Sequence, residues 1–300
     1  MPQLSLKIDL DGLDAEVVES VVFAAGALSV TYSDQRDDPI LEPAPGEFRL
    51  WPATRLEALF AAEAAAPELL ANLAGELGLP LNRLQTSTVG ERVWEREWLR
   101  DFKPMRFGNR LWICPSHAQV DVEGAVVVNL DPGLAFGTGT HPTTRLCLEW
   151  LDACLRAGDT AIDYGCGSGI LAIAALKLGA NHVWAHDIDP QALLATGLNA
   201  ATNNVADRLT RVENGASVSA VVDVVMANIL SGPLCELAPR LTSRLRPAGQ
   251  IVLAGLLEDQ VGDVIDAYRG SVDLTRWRTL DGWVALAGRR LAGPTGSQST

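Results

Sequence analysis

The order of apolar and polar positions in the first part of the chain predicts a small α+β domain. Residues 4–10 alternate between apolar and polar side chains, which is the period of a half-buried strand. The pattern also predicts strands over residues 28–32, 47–51 and 81–89, and helices over residues 14–25, 54–66 and 67–77. The resulting β-α-β-β-α-β order is the ferredoxin-like arrangement. We therefore expect a ferredoxin-like domain over residues 1–90.

Strands and helices alternate regularly in the remainder of the chain. Strands are predicted over residues 160–164, 182–187, 221–227 and 250–254, and the helices that follow them over residues 168–178, 190–203, 233–245 and 258–268. Such alternation indicates a parallel sheet that is covered by helices on both faces. The prediction for residues 108–292 is therefore an α/β domain with a Rossmann-like, doubly wound sheet.

Two segments fall outside these predicted domains. Residues 91–107 are dense in charged and aromatic side chains. We predict a linker helix there that ends before Pro104, because a proline disfavours the helical conformation in the residue before it. Residues 293–300, with the sequence GPTGSQST, have the composition of a disordered tail.

The sharpest chemical signal is the glycine-rich turn at residues 161–169, AIDYGCGSG, where a buried strand runs into three glycines. Glycine lets the backbone turn tightly and approach a ligand closely. The carboxyl end of a strand is also where open α/β sheets bind nucleotides. The G-x-G-x-G spacing differs from the dinucleotide fingerprint, so it favours an adenosyl ligand over a pyrophosphate. The alternative is a tight strand-to-helix turn that binds nothing.

Asp187 ends the next predicted strand, 22 residues after Gly165. A carboxylate in that place can accept hydrogen bonds from both ribose hydroxyls of a nucleoside. The alternative role is to cap the helix that begins at Pro190, but Asp189 is better placed for it. We therefore predict that Asp187 binds ribose.

Asn228 directly follows the strand predicted over residues 221–227 and should face the same crevice. Its side-chain oxygen can accept a hydrogen bond from an amine, and the backbone carbonyl of Ile229 can accept a second. These two acceptors would direct the nitrogen lone pair at an electrophile. The alternative is that Asn228 only stabilises the turn before Gly232 and Pro233.

Residues 131–144, DPGLAFGTGTHPTT, combine glycines, prolines, a phenylalanine and a histidine before a regular helix. This density predicts a loop that folds over a ligand. His141 in this segment is either a base or a loop and cap residue. The five cysteines form no C-x-x-C pair and the four histidines are scattered, so no metal site is predicted.

The net charge of −13 at pH 7 is concentrated in the first part of the chain, where residues 1–100 hold 17 Asp and Glu against 8 Lys and Arg. An acidic surface repels phosphate backbones and attracts basic proteins, so no direct nucleic-acid partner is expected. Solubility alone is the alternative explanation for the charge. We find neither a signal peptide pattern nor an apolar run long enough to span a membrane, and we expect a cytoplasmic protein without membrane contact.

Four segments together resemble the methyltransferase family that modifies ribosomal protein L11 of the large subunit. They are residues 131–144, residues 161–180 (AIDYGCGSGILAIAALKLGA), residues 186–190 (HDIDP) and residues 226–230 (MANIL). Each is only moderately specific, but the set in this order is highly specific, and the resemblance covers nearly the whole chain. It implies a class I S-adenosylmethionine-dependent methyltransferase domain, preceded by a small substrate-recognition domain.

The resemblance also implies which residues act and on what. Binding of S-adenosylmethionine is expected from Thr144, Gly165, Asp187 and Asn228, with Phe136, Gly137 and Gly167 lining the same site. The expected products are trimethylated lysines and a trimethylated N-terminal amine on ribosomal protein L11, made by a monomeric enzyme. Two rival functions are a methyltransferase of another substrate class and a non-catalytic assembly factor.

Overall fold

The computed structural model describes residues 3–36, 50–61, 66–89, 102–131, 139–213 and 220–292. The chain divides into two compact units, residues 1–97 and residues 98–300. Each unit has its own hydrophobic core within the described residues.

The first unit consists of one sheet and two helices. The elements are β1 (Gln3–Asp9), α1 (Ala15–Ala24), β2 (Ser29–Asp34), β3 (Thr54–Ala61), α2 (Ala66–Leu77) and β4 (Leu84–Val89). The strands lie in the order β2-β3-β1-β4, and all neighbours are antiparallel. The order along the chain is the β-α-β-β-α-β order that the sequence predicts, although one strand lies in a different place.

That strand is β3, which occupies residues for which the sequence predicts a helix. Its Leu, Ala and Glu residues favour helices locally. In the structure Leu56, Ala58 and Phe60 are buried and alternate with partly exposed residues, and β3 pairs with both β1 and β2. This pairing outweighs the local preference, so the prediction of a helix over residues 54–66 is wrong for residues 54–61, and residues 62–65 lie outside the described residues. Residues 50–51 are not in a strand, and residues 47–49 of the predicted strand lie outside the described residues.

The second unit begins with a small sheet of β5 (Met105–Phe107), β6 (Leu111–Cys114) and β7 (Val126–Asn129). Strand β5 is antiparallel to β6, and β6 is parallel to β7. The predicted linker helix in residues 91–107 is wrong at its end, because residues 102–104 are not helical and Met105–Phe107 form β5, where the fully buried Phe107 pairs with Leu111. Residues 91–101 lie outside the described residues. The boundary predicted at residue 108 is likewise too late, because β5 belongs to the second unit.

The large sheet of the second unit contains seven described strands. They are β8 (Thr160–Tyr164), β9 (His182–His186), β10 (Leu209–Val212), β11 (Val222–Asn228), β12 (Leu245–Leu257), β13 (Val272–Leu280) and β14 (Trp283–Arg290), in the order β10-β9-β8-β11-β12-β14-β13. Strands β8 to β12 run parallel to one another. The strand order reverses between β8 and β11, and open α/β sheets bind ligands at such a point.

The sequence analysis predicts a parallel sheet, and this prediction is wrong at one edge of the sheet. Strand β14 runs antiparallel to both β12 and β13. The turn between β13 and β14 contains Asp281 and Gly282, both with positive φ (50° and 80°). An Asp-Gly pair between two strands is a strong hairpin signal, because this turn needs positive φ at both positions. The sequence therefore contains the information that corrects the prediction.

Six described helices accompany the large sheet. They are α3 (Pro142–Cys154), α4 (Ile170–Leu178), α5 (Pro190–Thr202), α6 (Ser231–Glu236), α7 (Ala238–Ser243) and α8 (Val261–Tyr268). Two apolar cores flank the sheet, so that the neighbours Ala161 and Ile162 on β8 belong to different cores. The helix predicted over residues 233–245 is wrong as a single element. It is divided at Leu237, because Pro239 lacks an N–H and its ring clashes with a helical carbonyl four residues earlier.

Candidate active site

A cavity of about 580 Å³ opens at the carboxyl ends of β8, β9 and β11. Five of the residues predicted for the site line it: Gly165, Gly167, Asp187, Asn228 and Ile229. They come from three separate segments of the chain, and the parallel strands bring them together because these strands all end at the same edge. The cavity therefore coincides with the crevice that the sequence predicts.

The turn after β8 is built from glycines in the left-handed region, with φ of 79° at Gly165, 53° at Gly167 and 80° at Gly169. A side chain at Gly165 would overlap the side chain of Ile229. The backbone N–H groups of Gly165 and Cys166 both donate to the carbonyl of His186, at 2.8 and 2.9 Å. The turn therefore lies close to both neighbouring strand ends, which only glycine permits at this position.

The half-buried carboxylate of Asp187 connects this turn to the loop after β9. One oxygen accepts a hydrogen bond from the N–H of Gly167 at 2.9 Å, and the other accepts from the N–H of Asp189 at 3.0 Å. Asp189 caps α5 by accepting from the N–H of Gln191 at 2.8 Å. The sequence-based choice of Asp189 as the helix cap is confirmed, which leaves Asp187 facing the cavity.

Among the described residues, one hydrogen bond holds the side-chain amide of Asn228. Its nitrogen donates to the hydroxyl oxygen of Thr144 at 3.3 Å, and Thr144 is fully buried. Because the nitrogen is engaged, the oxygen of Asn228 is the acceptor that remains for the cavity. Thr144, predicted to bind the cofactor, therefore contacts Asn228, and its neighbour Thr143 lines the cavity.

The backbone carbonyl of Ile229 lies beside this amide. It accepts no backbone hydrogen bond from the described residues. The residue four positions later, which would normally donate to it in a helix, is Pro233, and proline has no N–H. Gly255 on β12 has a φ of 93°, and a side chain there would overlap the Ile229 carbonyl. Asn228 and Ile229 thus offer two neighbouring acceptors at one wall.

His141 is the N-cap of α3. Its Nδ1 atom lies 2.7 Å from the hydroxyl of Thr143 and accepts a hydrogen bond from the N–H of the same residue at 3.3 Å, which places the proton of the uncharged ring on Nε2. The ring packs edge-on against Trp283, with 4.9 Å between the ring centroids. Burial lowers the pKa of His141. Of the two interpretations in the sequence analysis, the geometry supports the cap, because Nδ1 cannot take up a proton without losing this bond.

Comparison with known proteins identifies the family. A family model described as "Ribosomal protein L11 methyltransferase (PrmA)" matches residues 2–291. The chain belongs to this family.

Individual relatives agree with the family model. The ribosomal protein L11 methyltransferase of Azotobacter vinelandii is 48% identical over 97% of this chain and 100% of its own length. The protein of the same name from Vibrio parahaemolyticus is 46% identical over 97% of this chain and 99% of its own. A crystal structure of ribosomal protein L11 methylase from Lactobacillus delbrueckii subsp. bulgaricus is 33% identical, with a TM-score of 0.59, and the match covers 64% of this chain and 100% of that one. The resemblance found in the sequence is confirmed.

In this member of the family, a buried carboxyl group lies behind the glycine turn. Asp163 on β8 is fully buried; one oxygen accepts from the N–H of Ala172 at 3.0 Å, and the other has no hydrogen-bond partner among the described residues. Burial raises the pKa of Asp163 to about 7, and the nearby negative charge of Asp187 adds to the increase. Asp163 is therefore partly protonated near neutral pH.

Other chemistries find little support in this family member. Burial raises the pKa of the Cys166 thiol, which disfavours the reactive thiolate. The described residues contain no group of three or more His, Cys, Asp or Glu side chains suited to a metal ion. Within the same residues, no helix has both the length and the apolar character needed to cross a membrane.

Sequence reasoning missed much of the apolar wall of the cavity. The missed residues are Tyr164, Ile188, Leu230, Leu237, Gly255 and Trp283. Only Ile188 carries a signal in the sequence, because it is an apolar residue between two aspartates. In the structure its side chain is 90% exposed. Trp283 and Gly255 lie far along the chain from the motifs, and no local pattern marks them. Phe136 and Gly137, predicted to line the site, lie outside the described residues.

Proposed function

We propose that this chain, a methyltransferase by family membership, uses S-adenosylmethionine to methylate amines of ribosomal protein L11. The proposed products are trimethylated lysine side chains and a trimethylated N-terminal amine. We place the reaction in the cytoplasm, with a monomeric enzyme that makes no direct contact with nucleic acid. The names of the relatives support the substrate. The observation that carries the chemistry is the pair of acceptors at Asn228 and Ile229 beside the glycine turn.

The cavity has the groups that S-adenosylmethionine requires. The carboxylate of Asp187 can accept hydrogen bonds from the ribose hydroxyls, and the turn at Gly165 and Gly167 allows close approach of the ligand to the backbone. The side chains of Ile188 and Leu230 provide apolar surface for the base. When bound, the cofactor supplies an electrophilic methyl group on a positively charged sulfur. The protein positions the cofactor and the substrate amine relative to each other.

The substrate amine must be neutral and correctly oriented before it can react. A lysine amine is protonated in water at neutral pH, and partial burial in an apolar cavity lowers its pKa. The oxygen of Asn228 and the carbonyl of Ile229 can then accept the two hydrogens of the neutral amine, which directs its lone pair away from both acceptors. Because His141 is engaged as a helix cap, we assign proton removal to water. The side chain of Asn228 and the backbone carbonyl of Ile229 therefore contribute to the reaction by orienting the substrate amine.

A methyl-transfer assay tests this function. The full chain is incubated with radiolabelled S-adenosylmethionine and either ribosomal protein L11, other basic ribosomal proteins or ribosomal RNA. We expect label in L11 alone, and trimethylated amines by mass spectrometry. Asn228→Ala should lower turnover on the order of 100-fold, because misplacing a nucleophile by about 1 Å has that effect. Labelling of RNA would support the rival substrate class, and cofactor binding without transfer would support the assembly factor.

A further inference from the structure

His186 is a polar residue of the cavity wall that the proposed chemistry does not use. It is the last residue of β9, directly before Asp187, and it is 3% exposed. Burial of an imidazole is unfavourable unless its nitrogen atoms find partners. The partners of its two nitrogens therefore indicate what His186 can bind.

The hydrogen bonds of His186 fix which nitrogen carries the proton. Nδ1 lies 2.7 Å from the backbone carbonyl oxygen of Val212. A carbonyl oxygen can only accept, so Nδ1 must be the donor. In the uncharged ring Nε2 is then an acceptor. The described residues offer Nε2 no hydrogen-bond partner.

The orientation of the ring is also fixed. The ring of Tyr164 packs edge-on against it, with 4.4 Å between the centroids and an angle of 66°. The hydroxyl of Tyr164 accepts a hydrogen bond from Arg240 at 3.1 Å, which holds Tyr164 in place. Val212 and Tyr164 therefore hold the imidazole from two neighbouring strands. Nε2 is a positioned acceptor that cannot exchange places with Nδ1 without breaking the Val212 bond.

The neighbouring surface of the cavity is suited to a flat apolar group. Ile188 is 90% exposed and Leu230 is 50% exposed, although both line the cavity. Such exposure of large apolar side chains is typical of a binding site. Of the polar side chains in the described lining, Asp187 and Asn228 have roles in the proposed function, and His141 caps a helix. The hydroxyl of Thr143 contacts Nδ1 of His141 at 2.7 Å, and the hydroxyl of Tyr164 accepts from Arg240. His186 is thus the acceptor that remains for the base.

We propose that Nε2 of His186 accepts a hydrogen bond from the exocyclic amino group of adenine, and that it selects adenosyl over inosyl compounds. The proposal rests on the function proposed above. An inosyl compound carries a carbonyl oxygen in place of that amino group. Two acceptors would then face each other, and neither could donate. A site that is built to bond a polar group rejects an analogue that lacks it.

Calorimetry with two stable probes, S-adenosylhomocysteine and S-inosylhomocysteine, tests the proposal. The full chain should prefer the adenosyl probe by about 10-fold or more, since an unpaired buried group costs roughly the free energy of a tenfold change. His186→Phe retains an aromatic ring without the acceptor and should bind both probes nearly equally. His186→Leu also removes the acceptor and should likewise bind both probes nearly equally. It provides the test if His186→Phe does not fold.

His182 on the same strand provides a matched control. Its Nε2 bonds to Thr210 at 2.9 Å, its ring packs on Trp184, and it does not line the cavity. His182→Phe should keep the preference of the full chain. If His186→Phe or His186→Leu prefers the adenosyl probe as strongly as the unmodified chain, the proposal is overturned while the proposed function stands. If the unmodified chain binds neither probe, both are overturned.

Discussion

The side-chain nitrogen of Asn228 donates to the hydroxyl of Thr144 across 3.3 Å, although the two residues are 84 positions apart. Thr144 lies in the first turn of α3, which His141 caps, and Asn228 ends β11. Two motifs that look independent in the sequence therefore form one structural unit. The helix start determines which atom of the Asn228 amide faces the cavity.

Thr144→Val tests this relationship. Valine has nearly the shape of threonine but no hydroxyl, so the amide of Asn228 loses its fixed orientation. We expect turnover to fall by about 5-fold or more, since one lost hydrogen bond is worth roughly 1 kcal/mol. Binding of S-adenosylhomocysteine, measured by calorimetry, should change much less. Thr144→Ser keeps the hydroxyl and should turn over nearly normally. Equal turnover in the valine and serine variants would argue against the orienting role.

Gly165→Ala tests the close approach of the glycine turn to Ile229. Alanine at a φ of 79° is strained by about 1–2 kcal/mol, and its side chain would also overlap Ile229. We expect a lower free energy of unfolding and weaker binding of S-adenosylhomocysteine. Gly262→Ala is the control, because that position has open space around it and no positive φ. Equal affinity of Gly165→Ala and Gly262→Ala for S-adenosylhomocysteine would contradict a role of the close glycine turn in cofactor binding.

The sequence predicts elements well where a local pattern and the tertiary environment agree. Strand β8 is predicted with the bounds that the structure has, because its buried run ends at the glycine turn. Strand β3 is mistaken for a helix, since its pairing with two other strands is not a local property. The hairpin of β13 and β14 has a local signal in Asp281 and Gly282, which alternation of strands and helices alone does not use.

The residues of the candidate site also fall into those that a local pattern predicts and those that depend on tertiary structure. Gly165, Asp187 and Asn228 follow strand ends, so the sequence predicts that they meet. Which of two neighbours faces the cavity depends on the rotation of a helix, and this is why Thr143 lines the cavity while Thr144 is buried behind it. Trp283 reaches the cavity through the position of β14 in the sheet, which no nearby residue encodes.

The raised pKa of Asp163 leads us to predict that the stability of the protein depends on pH. Its pKa is about 7 in the folded protein against an ordinary 3.8. The folded state therefore binds more protons than the unfolded state in that interval, and the free energy of unfolding falls as pH rises through it. Asp163→Asn keeps an acceptor for Ala172 but removes the titration. Urea unfolding at about pH 5 and about pH 8 should show a smaller loss of stability in the variant than in the unmodified chain. Equal losses would contradict the titration of Asp163.

We predict that the second unit alone binds the cofactor and that the first unit recognises the substrate. The described residues that line the cavity all belong to the second unit, whereas residues 1–97 carry 17 acidic against 7 basic residues. A chain that starts at Trp98 should bind S-adenosylhomocysteine normally. We expect its kcat/KM for ribosomal protein L11 to fall by about 10-fold or more, since several favourable contacts would be lost.

Salt provides a second readout for the same prediction. The attraction between an acidic unit and a basic substrate is screened by added salt. Raising the salt concentration should therefore increase the KM of the full chain for L11 more than that of the truncated chain. If the truncated chain methylates L11 as efficiently as the full chain, the first unit does not recognise the substrate.

Binding of S-adenosylhomocysteine to Asp187→Ala, measured by calorimetry, tests most directly whether the crevice beside the glycine turn holds the cofactor. Losing hydrogen bonds to a charged acceptor costs about 1.5–3 kcal/mol, so we predict affinity lower by about 10–150-fold. Asp189→Ala removes the same charge two residues away, where the carboxylate caps α5, and should bind nearly as well as the unmodified chain. Unchanged affinity in a folded Asp187→Ala variant would contradict the placement of the cofactor in this crevice.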